Sequence, residues 1–171
     1  MPAAPHLDPS RIDRRHMGIY LNDHLAGSTI GVELARRASA SNSDTELGRF
    51  LARLAGEVDE DRATLLRVME AFGLPRDRIK VFFGWAAEKV GRLKPNGQLR
   101  GYSPLSRVVE LEGLSLGVEG KLSLWRSLDR AVGGDPRLEG IDFAALAARA
   151  SKQRQELERH RTEATDQALT R

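Results

Sequence analysis

The chain has 171 residues, enough for one domain with a sizeable core. Hydrophobic residues make up 40% and charged residues 30%, a soluble, globular balance, and a net charge of +3 carries no global signal for nucleic acid or membrane. Cysteine is absent, which excludes disulfides, thiolate zinc sites, iron–sulfur clusters and cysteine catalysis; aromatics at 5% amid abundant Leu and Ala favour helices over sheets.

Residues 1–11 form a proline-bearing tail, and a single helical domain is expected over 12–169. The tail has no apolar run after a basic patch, so no signal peptide is read and the cytoplasm is the expected compartment. A first long helix is expected over 12–38, with Met17, Leu21, His24, Leu25, Ser28, Val32 and Ala35 at 3–4 residue spacing. The loop SASNSD offers Ser43 or Asp44 as the next N-cap. The second helix, 45–72, carries Leu47, Phe50, Leu54, Val58, Asp61, Leu65 and Phe72 on one stripe and stops at Gly73.

A shorter helix is expected over 76–93, followed by a turn-rich loop. The third long helix, 104–132, opens on Pro104 and ends at GGDP. The fourth, 142–168, has the stripe Phe143, Leu146, Ala150, Leu157 and Ala164, interrupted by Gln153, Arg154 and Arg161. Each long helix would be about 40–45 Å at 1.5 Å per residue. Short loops make each flanking pair antiparallel, and the link of about 30 residues can return along the bundle.

Six polar residues fall on faces expected to be buried: His24, Ser28, Asp61, Glu112, Glu119 and Arg154. Glu112 and Glu119 are seven apart, on a face shared with Leu105, Val109 and Leu116. A buried charge must be paired or bound to a metal. The layer is therefore a cofactor site or an ion-pair network of Asp61, Glu112 and Glu119 with Arg154 and Arg161 in the place of a cation. On the ion-pair reading, Arg154→Ala should cost about 3–5 kcal/mol. Glu57, Asp59 and Glu60 read as a solvated acidic face, and Glu156 with His160 as a surface pair.

The segments LNDHLAGST (21–29), FLARLAGEVDEDRATLLRVM (50–69), VELEGLSLGVEGKLSLWRSL (109–128) and DPRLEGIDFAALAARASKQRQELE (135–158) resemble, in pattern, the four helices of the ferritin-like superfamily. That resemblance implies a four-helix bundle with a long crossover between its second and third long helices, here containing the additional short helix. Di-iron members carry Glu, Glu-x-x-His, Glu and Glu-x-x-His on successive helices. Here those positions read Ser28, Asp61 with Thr64, Glu119, and the stretch Lys152–Gln155, so most of the ligands are missing.

Two further features stand out. Gly113, Gly117 and Gly120 form a smooth strip for a close helix or a dimer contact. Leu111, Leu114, Val118, Leu122 and Trp125 make the opposite flank of that helix apolar as well. The crossover, 74–107, holds eight Lys/Arg against Asp77 and Glu88, a net +6; Lys80, Lys89, Arg92, Lys94 and Trp85 are its candidate contacts to nucleic acid or a membrane surface.

No nucleophile–base pair, phosphate loop or complete metal cluster is visible. The expectation is a non-enzymatic, cofactor-free bundle, dimeric, acting as a structural, interaction or small-ligand-binding protein. One alternative is an iron- or manganese-binding protein or oxidoreductase using Asp61, Glu112, Glu119 and His24. The other is binding of nucleic acid or a membrane through the crossover.

Overall fold

The computed structural model describes residues 12–76 and 103–170. Within them the chain is all-α: α1 (Arg14–Ser41), α2 (Glu46–Ala71), α3 (Pro104–Val132) and α4 (Phe143–Leu169), with a 3-10 turn at Pro136–Leu138 before α4. The helix expected over 76–93 and the candidate contacts Lys80, Trp85, Lys89, Arg92 and Lys94 lie outside the described residues, Arg76 excepted. Among the described residues, no helix is long and apolar enough to cross a membrane.

Each helix starts on a side chain that accepts from the free backbone N–H groups of its first turn. Asp13 accepts from Arg15 and His16, Thr45 from Gly48, Ser103 from Ser106, and Asp142 from Ala145. The α2 cap is thus Thr45, not Ser43 or Asp44. Asp44 instead turns the chain with a φ of 64°. α1 runs three residues past its expected end because the Asn42 amide donates to the Ala38 carbonyl at 2.7 Å and closes the last turn. α2 ends as expected at Gly73, with a φ of 57°. Leu74 N–H donates to Met69 O and Gly73 N–H to Glu70 O, both at 2.9 Å, a Schellman closure with Leu74 buried over it.

α1 and α2 form one antiparallel hairpin, tied at its ends by Ser39 to Gly48 O and by Asn22 to Pro75 O. α3 and α4 form the other, tied by Arg107–Gln167 at one end and by the stacked Trp125 and Phe143 rings at the other. The hairpins meet through α1 against α3 and α2 against α4, again antiparallel. Arg37 reaches Glu110 in the first pair, and Arg53 and Arg159 reach Glu156 and Glu46 in the second. α2 and α3 therefore run in the same direction on one diagonal of the bundle. The core between them is Leu21, Leu25, Leu51, Leu54, Leu65 and Met69 against Leu111, Leu122, Trp125 and Leu157. At the far end the Arg137 guanidinium sits 4.1 Å over the Phe72 ring and is held by Asp135, closing the α3–α4 turn onto the end of α2.

Candidate functional site: a buried ion cluster beside an apolar cavity

Asp61 is the one carboxylate of the expected polar layer that is deeply buried, at 3% exposure. Its partners are not Arg154 and Arg161. Lys121 of α3 donates to Asp61 Oδ2 and to Gln153 Oε1, both at 2.6 Å. Arg149 of α4 donates to Asp61 Oδ1 at 2.5 Å and to Glu60 at 2.8 Å. Gln153 completes the cluster by donating to Glu57 at 2.5 Å. The helical repeat explains the layout. Glu57 and Asp61 are one turn apart on α2, Arg149 and Gln153 one turn apart on α4, so two rungs form between antiparallel helices. Lys121 reaches in from α3 with its side chain 10% exposed. Burial pushes the Lys121 ammonium below the usual lysine pKa, opposed by the Asp61 carboxylate. Glu57 and Glu60, expected to be merely solvated, form the outer acceptors of this cluster.

The other expected members lie elsewhere. Glu119 and Arg154 do pair, at 2.7 Å, but with 46% and 49% of their side chains exposed. Arg161 holds Glu158 at 2.7 Å and reaches exposed Glu112 only at 4.0 Å. The cause is a rotation of α3. Val109 is only partly buried and Leu116 is 76% exposed, whereas Leu111, Leu114, Val118, Leu122 and Trp125 face the core. A helix apolar on two sides gives two candidate stripes, and the one bearing Glu112 and Glu119 turns outward. The Arg154–Glu119 pair is a surface contact, worth about 0–1 kcal/mol and not the larger cost expected of a buried network. His160 is also corrected: it is buried beside Phe50, ring centroids 5.1 Å apart, while Glu156 accepts from Arg53.

Lys121 and Arg149 went unread as cluster members, although spacing marks both. Lys121 is three residues after Val118 and four before Trp125, and Arg149 is three after Leu146 and four before Gln153. A lysine on a core stripe is the signal.

Beside the cluster lies an apolar cavity of about 210 Å³ between α1, α2 and α3. Leu54, Val58, Leu65, Leu114, Val118 and Leu124 supply its walls. Five glycines line it: Gly27 and Gly31 of α1, and Gly113, Gly117 and Gly120 of α3. A Cβ on Gly113 would meet Leu34 at 3.4 Å, but above Gly27, Gly117 and Gly120 no described atom lies within 4 Å. Among the described residues Gly113 thus sits against α1 while Gly117 and Gly120 border an opening; the crossover helix expected on the strip lies outside the described residues. His24 and Ser28 are on its α1 side, and Asp61, Arg62, Lys121 and Trp125 also reach it. His24 is half-buried, edge-on to the Tyr20 ring at 4.6 Å, and burial lowers its pKa below 6.5 against the pull of Asp23. The Ser28 hydroxyl donates to Leu25 O at 2.7 Å.

The four residues read as metal ligands are therefore not gathered. Asp61 and His24 border the cavity, while Glu112 and Glu119 lie on the outer face of α3. Among the described residues, no three His, Asp or Glu side chains are grouped as metal ligands would be. This donor set does not fit a di-iron centre, which needs about six carboxylate and imidazole ligands around two cations. Comparison with protein-family models, curated proteins and solved structures gave no match to this chain.

Proposed function

We propose that the protein is a ferritin-like bundle whose central metal site is replaced by the side-chain amine of Lys121, and that it works by binding a small apolar molecule in the adjoining cavity. One observation carries this reading: the Lys121 ammonium bridges Asp61 and Gln153 in the bore, next to an apolar cavity that no side chain of the described residues fills. Two antiparallel hairpins, with α2 and α3 running in the same direction, support the bundle class, since a long crossover is what such an arrangement requires. A protonated lysine at that point repels a metal cation and satisfies the carboxylate that would ligate it. The cavity is larger than the engineered dry cavity of about 150 Å³ that binds benzene.

Two measurements test this. Elemental analysis of untagged protein after loading with Fe(II) or Mn(II) should give no stoichiometric metal; about two ions per chain, lost in Asp61→Ala/Glu119→Ala, would restore the di-metal reading. A panel of small apolar molecules should include at least one that shifts the Trp125 indole N–H resonance saturably in a Trp85→Phe background. That shift should be absent from Gly117→Leu, which carries its new side chain into the open rim. A panel with no binder would remove the cavity from consideration.

A further inference from the structure

The solvent side of α3 is unlike that of its neighbours. α2 turns Arg49, Asp59 and Arg67 to water, and α4 turns Lys152, Arg159 and Asp166. On α3 the strip opposite buried Val118 reads Leu105, Val109, Leu116, Gly120, Ser123 and Ser127, without a charge. Leu116, near the middle of the helix, is 76% exposed; Ser123 and Ser127 are exposed, and Leu105 and Val109 are partly buried. The strip has two unlike halves. Val109 and Leu105 lie seven and eleven residues before Leu116, and Ser123 and Ser127 lie seven and eleven after it. Large side chains thus occupy one half and small ones the other. The edge of the strip towards α4 carries charge of both signs. Glu112 with Arg161 flanks Leu116 on one side and Glu119 with Arg154 on the other, their side chains 28% to 53% exposed. Leu116, Arg154 and Arg161 also line a groove between the two helices.

We infer that this face is the interface between two copies of the chain, related by a two-fold axis that crosses α3 at Leu116 and sets the two α3 helices antiparallel. Leu116 then packs on Leu116 of the other copy. Val109 and Leu105 come to lie over Ser123 and Ser127 of the other copy, large over small on both sides of the axis. The same operator lays each Glu119–Arg154 pair over the other copy's Glu112–Arg161 pair. Glu119 then faces Arg161 of the other copy, and Glu112 faces its Arg154, so acid meets base along the whole margin. An uncharged centre with a charged rim is the anatomy of a protein interface. The face is two helices wide and about 40 Å long, on the order of 800 Å² per copy, the share that a stable dimer needs. Neither a metal nor a cavity ligand takes part in this contact.

Sedimentation equilibrium of the full chain over a concentration series is the test. The expected species has twice the 18.9 kDa mass of the chain. Leu116→Glu, at an exposed position, should weaken association by about thirtyfold or more and leave the helical content unchanged. Two charge variants read the geometry. Glu112→Arg/Glu119→Arg and Arg154→Glu/Arg161→Glu should each be monomeric alone, because like charges then meet across the axis, and an equimolar mixture should form a one-to-one dimer. A wild-type chain that stays monomeric at every concentration would overturn the interface; a lowered melting temperature of Leu116→Glu in that case would show that the chain covers the strip with its own residues. A dimer indifferent to Leu116→Glu would place the contact on another face. Folded charge variants that fail to pair in the mixture, with the wild type dimeric, would overturn the antiparallel arrangement.

Discussion

At the scale of single residues, Asp61 and Arg154 make a contrast. Both fall on stripes expected to be buried, and both are ion-paired. Asp61 is enclosed and holds two cations, so Asp61→Ala leaves Lys121 facing an apolar cavity without its anion. We expect a loss of about 3–5 kcal/mol in urea unfolding. Arg154→Ala removes a half-exposed pair and should change stability by about 0.5 kcal/mol or less. The double variant Asp61→Leu/Lys121→Met should recover most of the Asp61→Ala loss, because an apolar pair of similar size avoids both desolvation penalties. His24 gives a separate prediction. Its folded pKa lies below the unfolded value of 6.5. Between those two values the unfolded chain binds more protons, so stability falls as pH drops through that window. Denaturation at pH 7 and pH 5 should show that slope, and His24→Gln should reduce it.

At the scale of elements, glycine has opposite meanings along the chain. A Cβ on Gly48 would overlap the Asn42 backbone carbonyl, because the first turn of α2 is pressed against the end of α1. Gly48→Ala should destabilise by about 1–3 kcal/mol. Gly117 and Gly120 have open space, and alanine there should stabilise α3 by about 0.5–1 kcal/mol each. Thermal melts of the three variants would separate the two roles. Helix identity was legible in this sequence because 3–4 residue spacing, Gly73, Pro104 and the GGDP break are local signals. Asp61 was legible as well, being polar among Val58 and Leu65 on a stripe with no competitor. The facing of α3 was legible too, in a signal that the polar-layer reading passed over: Val108, Leu111, Leu114, Val118, Leu122, Trp125, Leu128 and Val132 run unbroken at 3–4 residue spacing, whereas Glu112 and Glu119 interrupt the other flank. That rotation of α3 carries Glu112 and Glu119 outward and brings Lys121 inward, while Arg154 is exposed because α4 buries Ala150, Gln153 and Leu157.

At the scale of the molecule, two hairpins share one core, and each contributes what the other lacks. Residues 1–76 and 103–171, produced as two separate chains in one cell, should associate one to one and melt as a unit. Each alone should show no cooperative transition by circular dichroism. Stable, cooperative folding of either half alone would show that the interface between hairpins is not what organises the core.

The division of charge across that interface bears on how the chain matures. The buried carboxylate, Asp61, belongs to the first hairpin, and both of its cations, Lys121 and Arg149, belong to the second. As the polypeptide leaves the ribosome, the first hairpin emerges with an acid facing its apolar side and without the two cations that hold it in the finished bundle. It cannot close into a dry core until α3 and α4 have been synthesised. The electrostatics therefore tie commitment of the first hairpin to the arrival of α3 and α4, and a product cut before them should be the more open to proteolysis.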